Sequence, residues 1–182
     1  MEWIIIGVVA LLFIIVIAIY NKLVKLKTSV EEAFSTMDVY LKKRYDLIPN
    51  LVETVKGYAK HEKETLEEVI KMRNSAYNAS GVESKISADN NLSGSLSKLF
   101  AIAEGYPDLK ANSNFIELQN TLKSVENDIA NSRKYYNGVV KNYNIKIQTV
   151  PSNIIAGMFG FLKMPMYELK NEVERENVEV KF

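Results

Sequence analysis

Residues Trp3 to Tyr20 form an 18-residue stretch without a single charge, and from Ile4 to Ile19 it is almost wholly Ile, Val, Leu, Ala and Phe, with one glycine, Gly7. As a helix rising about 1.5 Å per residue, it spans roughly 27 Å, close to the ~30 Å hydrocarbon core of a bilayer. Trp3 and Tyr20 bracket it, where amphipathic aromatics favour the two membrane–water interfaces. A cleaved signal peptide would need a basic start, an apolar region of about 7–15 residues and a small-x-small cleavage site. Residue 2 is Glu2, the run is longer, and Ala18-Ile19-Tyr20 is a poor cleavage site. The stretch therefore reads as a retained single-pass transmembrane helix over residues 1–21. Lys22, Lys25 and Lys27 follow it, whereas Glu2 and the amino terminus precede it. The positive-inside bias then puts the N-terminus outside and the rest of the chain in the cytoplasm, at the plasma or inner membrane.

Beyond this anchor, composition mainly excludes. The 23 basic residues nearly balance the 22 acidic ones, so the strong basic excess of a dedicated nucleic-acid binder is missing. Cysteine is absent, which removes disulfides, thiolate zinc sites and cysteine nucleophiles. His61 is the one histidine. It opens His61-Glu62-Lys63-Glu64-Thr65, which begins like a helical zinc-protease motif but lacks the second histidine four residues on. A di-iron bundle would need two Glu-x-x-His pairs, and Tyr58, not Glu, stands three before His61. Gly157-Met158-Phe159-Gly160 is too apolar for a phosphate loop and has no Lys-Ser/Thr partner. No metal and no cofactor is expected.

Helical spacing runs through the remainder. Phe115, Leu118, Leu122, Val125, Ile129, Ser132, Tyr136, Val139 and Tyr143 are separated by steps of 3 and 4, the pattern of a bundle helix, which predicts a helix over about 112–147 between Pro107 and Pro151. Leu23, Leu26, Val30, Ala33 or Phe34, Met37, Leu41 and Arg44 continue directly from the anchor. Pro49 disfavours helix in the residue before it and suits the first turn of a new one, so the first body helix is expected to end near residue 45. A second is expected over 49–78, with its seam on Val52, Val55, Ala59, Glu62, Leu66, Val69, Arg73 and Ala76. The alternative is that Pro49 only kinks one long helix. A weaker helix over 82–104 carries Ile86, Leu92, Leu96, Leu99 and Ala103. The expected fold is all-α: an antiparallel four-helix bundle over 22–147 with an N-terminal single-pass transmembrane helix.

Two features stand out against this regular pattern. Glu62 and Arg73 occupy seam positions, and Glu126 and Arg133 flank the seam of the last helix, so these four could form a partly buried ion-pair network that sets helix register. The segment 148–182 is expected to be loop-like, with a charged tail. Its Ile154, Ile155, Met158, Phe159, Phe161, Leu162, Met164 and Tyr167 make it strongly apolar, with two prolines and two glycines between residues 150 and 167. An even number of helices returns this segment to the membrane-proximal end, where it either caps the core or contacts membrane or a partner.

The block Phe34-Ser35-Thr36-Met37-Asp38-Val39-Tyr40 through Arg44-Tyr45-Asp46-Leu47-Ile48-Pro49-Asn50-Leu51-Val52 to His61-Glu62 resembles the hallmark block of the LemA family. Tyr106-Pro107-Asp108-Leu109-Lys110-Ala111-Asn112, Arg133, Tyr136-Asn137, Tyr143-Asn144, Phe159-Gly160-Phe161 and Val180-Lys181-Phe182 extend the resemblance over essentially the whole chain. Phe34, Met37 and Tyr40 depart from the Trp, Ile and Gln usual in that family. The resemblance implies a membrane anchor and a cytoplasm-facing helical bundle, and no established reaction. It also implies partners in the cell envelope or in protein quality control, membrane proteases among them. The leading expectation is a non-enzymatic scaffold that tethers unidentified protein partners at the cytoplasmic membrane face. The alternative is a lipid-binding or membrane-remodelling module using residues 150–167. A third is an enzyme acting on envelope components through carboxylates such as Glu62 and Glu126.

Overall fold

The computed structural model describes residues 1–168; the charged tail from residue 169 and the closing Val180-Lys181-Phe182 lie outside the described residues. The chain is all-helical, with no strand among the described residues. The elements are α1 (Glu2–Tyr58), α2 (Lys63–Asn78), α3 (Val82–Ala103), α4 (Pro107–Lys110), α5 (Ser113–Gln148) and α6 (Ser152–Met158). They form two compact units. The first holds Met1–Asp38 and Asn131–Met166; the second holds Val39–Ala130 and, of the described residues, Tyr167 and Glu168.

The expected break at Pro49 does not occur, because α1 runs through it to Tyr58. Proline in a helix interior costs roughly 3 kcal/mol, through a lost hydrogen bond and a clash. Beyond Pro49, however, Leu51, Val52 and Val55 stay in phase with Leu41, Tyr45 and Ile48, and all are buried. At roughly 1.5–3 kcal/mol per buried aliphatic side chain, continuing the seam outweighs the proline. The lost bond is also replaced. Pro49 cannot donate to the carbonyl of Tyr45, and that oxygen instead accepts a 3.0 Å hydrogen bond from Arg73 Nε of α2.

In the second unit the chain turns at Ala59–Glu62, with Ala59 fully buried, and α2 then packs on α3. Gly81, at φ +84°, joins these two helices in a conformation that favours glycine. The expected helix over 82–104 is α3, nearly to the residue. Between α3 and α5 lies the one-turn helix α4, whose proline occupies the first position. Asn112 caps α5, its Oδ1 accepting from the Phe115 N–H at 3.0 Å. Its Nδ2 donates to Tyr58 Oη at 2.8 Å, tying the end of α1 to the start of α5. Along α5 the buried seam is Phe115, Leu122, Val125, Ile129, Ser132, Tyr136, Val140, Tyr143 and Ile147. Val140 replaces the expected Val139, and Leu118 is half-buried, because a straight α-helix drifts against a strict seven-residue repeat.

In the first unit, none of the most apolar 18-residue window of α1 is buried, whereas Leu23, Val30, Ala33 and Met37 are. The Phe34 ring meets the Tyr136 ring of α5 edge-on at 5.8 Å. The expected loop after residue 148 contains a helix, α6, after a cis Val150–Pro151 bond. Its C-terminus is closed by a Schellman arrangement: the Phe161 N–H reaches the Ala156 carbonyl at 2.9 Å, with Gly160 at φ +72°.

Candidate functional site

A polar cluster centred on two buried residues lies in the second unit. Arg44 of α1 and Asp89 of α3 are both fully buried and form an ion pair. Arg44 Nη1 also donates to Glu126 Oε1 of α5 at 2.8 Å and to Ser93 Oγ at 3.2 Å. Asp89 Oδ1 accepts from Tyr45 Oη at 3.3 Å, and its Oδ2 accepts from Tyr167 Oη. Three helices thus converge on one guanidinium, and the chain after α6 is drawn in by the same carboxylate. Asn90 Nδ2 donates to the Glu168 carbonyl at 3.1 Å, adding a second tie at the same place. A buried pair of this kind adds little net stability over an apolar core, but it penalises any register that leaves a charge unpaired.

Sequence reasoning missed Arg44 and Asp89 as a pair. The signal was present: Arg44 sits in the buried phase between Leu41 and Ile48, and Asp89 between Ile86 and Leu92. A charge held in an apolar phase requires a partner.

Three of the four residues expected to form one network take separate partners. Glu126 pairs with Arg44. Arg73 donates to the Tyr45 carbonyl, approaches Asp46 Oδ1 at 3.8 Å and lies 4.8 Å from the Tyr77 ring centroid. Glu62 Oε1 accepts from Tyr106 Oη at 3.2 Å. Arg133 lies half-buried on α5 in the first unit. Heptad phase places a residue toward a seam but does not state which residue faces it at that height. Partial burial, with Glu62 adding to it, raises the Tyr106 pKa.

In the first unit, α5 holds the segment after α6 through backbone groups. Tyr143 Oη donates to the Leu162 carbonyl at 2.9 Å, and Tyr136 Oη donates to the Pro165 carbonyl at 2.7 Å. Asn144 makes two bonds to Met164, Nδ2 to the carbonyl at 2.8 Å and Oδ1 from the N–H at 2.9 Å. An unpaired non-helical segment is thereby satisfied without secondary structure. Burial raises the pKa of Tyr136 to about 12. It also raises that of Tyr143, with Glu31 adding to the effect.

The expected apolar contact set therefore divides. Tyr167 is not part of an exposed surface: it is 2% exposed and bonded to Asp89. Ile155 is buried, and Phe161 and Met164 are half-buried. Ile154, Met158, Phe159 and Leu162 are exposed. Phe159 and Phe161 both pack on Tyr20, with ring centroids at 4.8 and 5.8 Å. Trp3 and the lysines Lys22, Lys25 and Lys27 are exposed.

A groove of about 1040 Å³ runs between the last turns of α1 and α2 in the second unit. Val52, Leu66 and Ile70 form its apolar part, and Lys56, Lys60, Lys63 and Lys71 outnumber Glu53 and Glu67 around it. Among the described residues, no group of three or more His, Asp or Glu side chains could hold a metal ion.

The described residues define an all-helical protein with a candidate N-terminal membrane anchor and a buried polar cluster in its body. Residues 33–182 match the LemA family, and the chain belongs to it. It is 26% identical to Protein LemA of Metamycoplasma hominis over 182 residues, covering 93% of this chain and 81% of that protein. It is 29% identical over 90 residues to Magnetosome protein MamQ 2 of Paramagnetospirillum magneticum, covering 50% of this chain and 33% of that protein. With Magnetosome protein MamQ of Magnetospirillum gryphiswaldense it shares 27% over 85 residues, 47% of this chain and 31% of that protein. The chain thus spans about a third of the length of the magnetosome proteins it matches.

Proposed function

We propose that this chain is a non-enzymatic tether, anchored by a single pass of α1, that holds protein partners at the cytoplasmic face of the cell membrane. In this reading the second unit is an antiparallel four-helix bundle of the later part of α1, α2, α3 and the earlier part of α5. The observation that carries the reading is the change along one unbroken helix. The apolar window of α1 has none of its residues buried, and from Leu23 onward the same helix enters a packed seam. Apolar surface left bare along some 18 residues requires a nonaqueous neighbour. Lys22, Lys25 and Lys27 just beyond it favour the cytoplasm for the body. The groove between α1 and α2 offers a partner an apolar floor with a net cationic rim, which suits an amphipathic helix with acidic flanks. The buried cluster around Arg44 serves architecture, since a fully buried pair offers no surface to a substrate.

The chain has no cysteine, so single-cysteine labelling tests the orientation directly. A membrane-impermeant maleimide should label Glu2→Cys on intact cells and Lys60→Cys only after permeabilisation; the reverse pattern would overturn the orientation. A photo-crosslinker at Lys71 should give discrete adducts in cells that Ile70→Glu abolishes. No adduct, or adducts indifferent to Ile70→Glu, would remove the tether reading.

A second reading, a lipid-binding module, is favoured by the packing of Phe159 and Phe161 on Tyr20.

A further inference from the structure

The exposed apolar residues around α6 need an occupant, and their position in the first unit identifies one. Tyr20 closes the uncharged run of α1, so a spanning α1 puts its ring at the membrane–water interface. Phe159 and Phe161 lie against that ring at 4.8 and 5.8 Å. The α6 turn is therefore held at the depth of the interface by direct contact, and not merely on the same side of the body. Around it, Ile154, Met158, Phe159 and Leu162 are 59%, 72%, 53% and 78% exposed. These are not side chains waiting to fold inward. The opposite face of α6 is already packed through Ile155 and Ala156, and the following backbone is fixed to α5 by Tyr143 and Asn144. Gly160, at φ +72°, lets the chain reverse between the exposed Phe159 and Leu162. Charge agrees with this placement: Lys22 and Lys25 follow Tyr20 on α1, and the exposed Lys163 follows Leu162, a setting that attracts anionic headgroups.

We infer that α6 and its Gly160 turn form a second, interfacial membrane contact, in which Ile154, Met158, Phe159 and Leu162 enter the headgroup–acyl boundary of the cytoplasmic leaflet beside α1. The contact makes the anchor two-point. A single helix can swivel about its axis, whereas a helix with an interfacial foot holds the first unit in one orientation to the bilayer. This inference rests on the reading that α1 crosses the bilayer, and the two can fail separately.

The full chain, reconstituted into phosphatidylcholine–phosphatidylglycerol vesicles, carries one environment-sensitive NBD label at a time, through Phe13→Cys, Met158→Cys, Leu162→Cys or Lys71→Cys. All four sites are exposed, so labelling spares the core. The label at residue 13 should be quenched by lipids spin-labelled deep in the acyl chain. Labels at 158 and 162 should be blue-shifted and quenched several-fold more by shallow than by deep spin labels, and the label at 71 should stay unquenched. Deep quenching at 13 with unquenched, water-exposed labels at 158 and 162 would overturn the interfacial contact and leave the spanning helix standing. Labels at 158 and 162 that are blue-shifted but unquenched would also overturn it, by showing protein rather than lipid as the cover. Loss of quenching at 13 would remove the spanning reading itself, and this inference with it.

Discussion

Arg73 Nε donates to the backbone carbonyl of Tyr45 at 3.0 Å, the acceptor that Pro49, four residues on, leaves without its helical N–H. A side chain of α2 thus repairs a proline defect in α1, and the two helices are joined where α1 is weakest. An unsatisfied buried carbonyl costs about 1–3 kcal/mol. Arg73→Met should lower unfolding free energy by about that amount in denaturant titrations of the full chain in detergent. In a Pro49→Ala background the backbone N–H returns, and the cost of Arg73→Met should shrink toward its packing contribution. Equal costs in both backgrounds would separate Arg73 from the proline.

The Arg44–Asp89 pair should behave as one unit. Arg44→Met alone strands the Asp89 carboxylate and should cost roughly 3–5 kcal/mol, whereas Asp89→Leu leaves the buried guanidinium with the partly exposed Glu126 as its remaining counter-charge and should cost somewhat less. The double variant should be clearly more stable than either single variant. Glu126 is partly exposed and can return to water, so Glu126→Gln should cost less than either.

Alkaline pH should loosen the first unit through Tyr136. Burial raises its pKa from 10.0 to about 12, so the folded state retains a proton that the unfolded chain releases above pH 10. The contribution is complete below pH 10 and is lost as pH rises toward 12. Unfolding free energy should fall over that window, and Tyr136→Phe should flatten the fall. An unchanged slope in the variant would assign the alkaline transition to other groups.

Asn144 fastens the chain after α6 with two hydrogen bonds to Met164. Asn144→Ala should remove about 1–3 kcal/mol of local stability and speed tryptic cleavage after Lys163 in the full chain. Cleavage in α3 should be unchanged, since the effect is confined to one attachment.

Gly160 at φ +72° is costly for any residue with a Cβ, by roughly 1–2 kcal/mol. Gly160→Val should displace Phe161 from Tyr20 and raise the solvent accessibility of Phe161, measurable by hydroxyl-radical footprinting, while the helical circular dichroism of the body is kept.

The helical class, the apolar run that opens α1 and the extents of α3 and α5 were legible because each rests on periodicity or length, which local sequence carries. The end of the first body helix was not. Pro49 signals a boundary locally, but the seam running Leu41, Tyr45, Ile48, Val52 and Val55 keeps one phase across it, and that phase was the stronger statement. Tyr167 was misplaced for the opposite reason. An aromatic in an apolar loop looks like contact surface until a buried carboxylate, 78 residues earlier, is found to accept from its hydroxyl. The mixed fate of Ile154 and Ile155 has a similar origin: neighbours one residue apart on a short helix point to different faces, and nothing in seven residues states which face is covered.

By itself the sequence determined the uncharged run from Trp3 to Tyr20, the lysines after it and the helical period of the body, because chain length, charge and spacing are properties of neighbouring residues. Which helix carries Pro49 was decided only in the tertiary structure, where Arg73 of another helix supplies the donor that the proline lacks. The pairing of Arg44 with Asp89, and the contact of Phe159 and Phe161 with Tyr20, were decided there too. The physical reason is common to all three. Each joins groups separated by between 28 and 141 residues, and no local pattern encodes which distant group arrives at the same height.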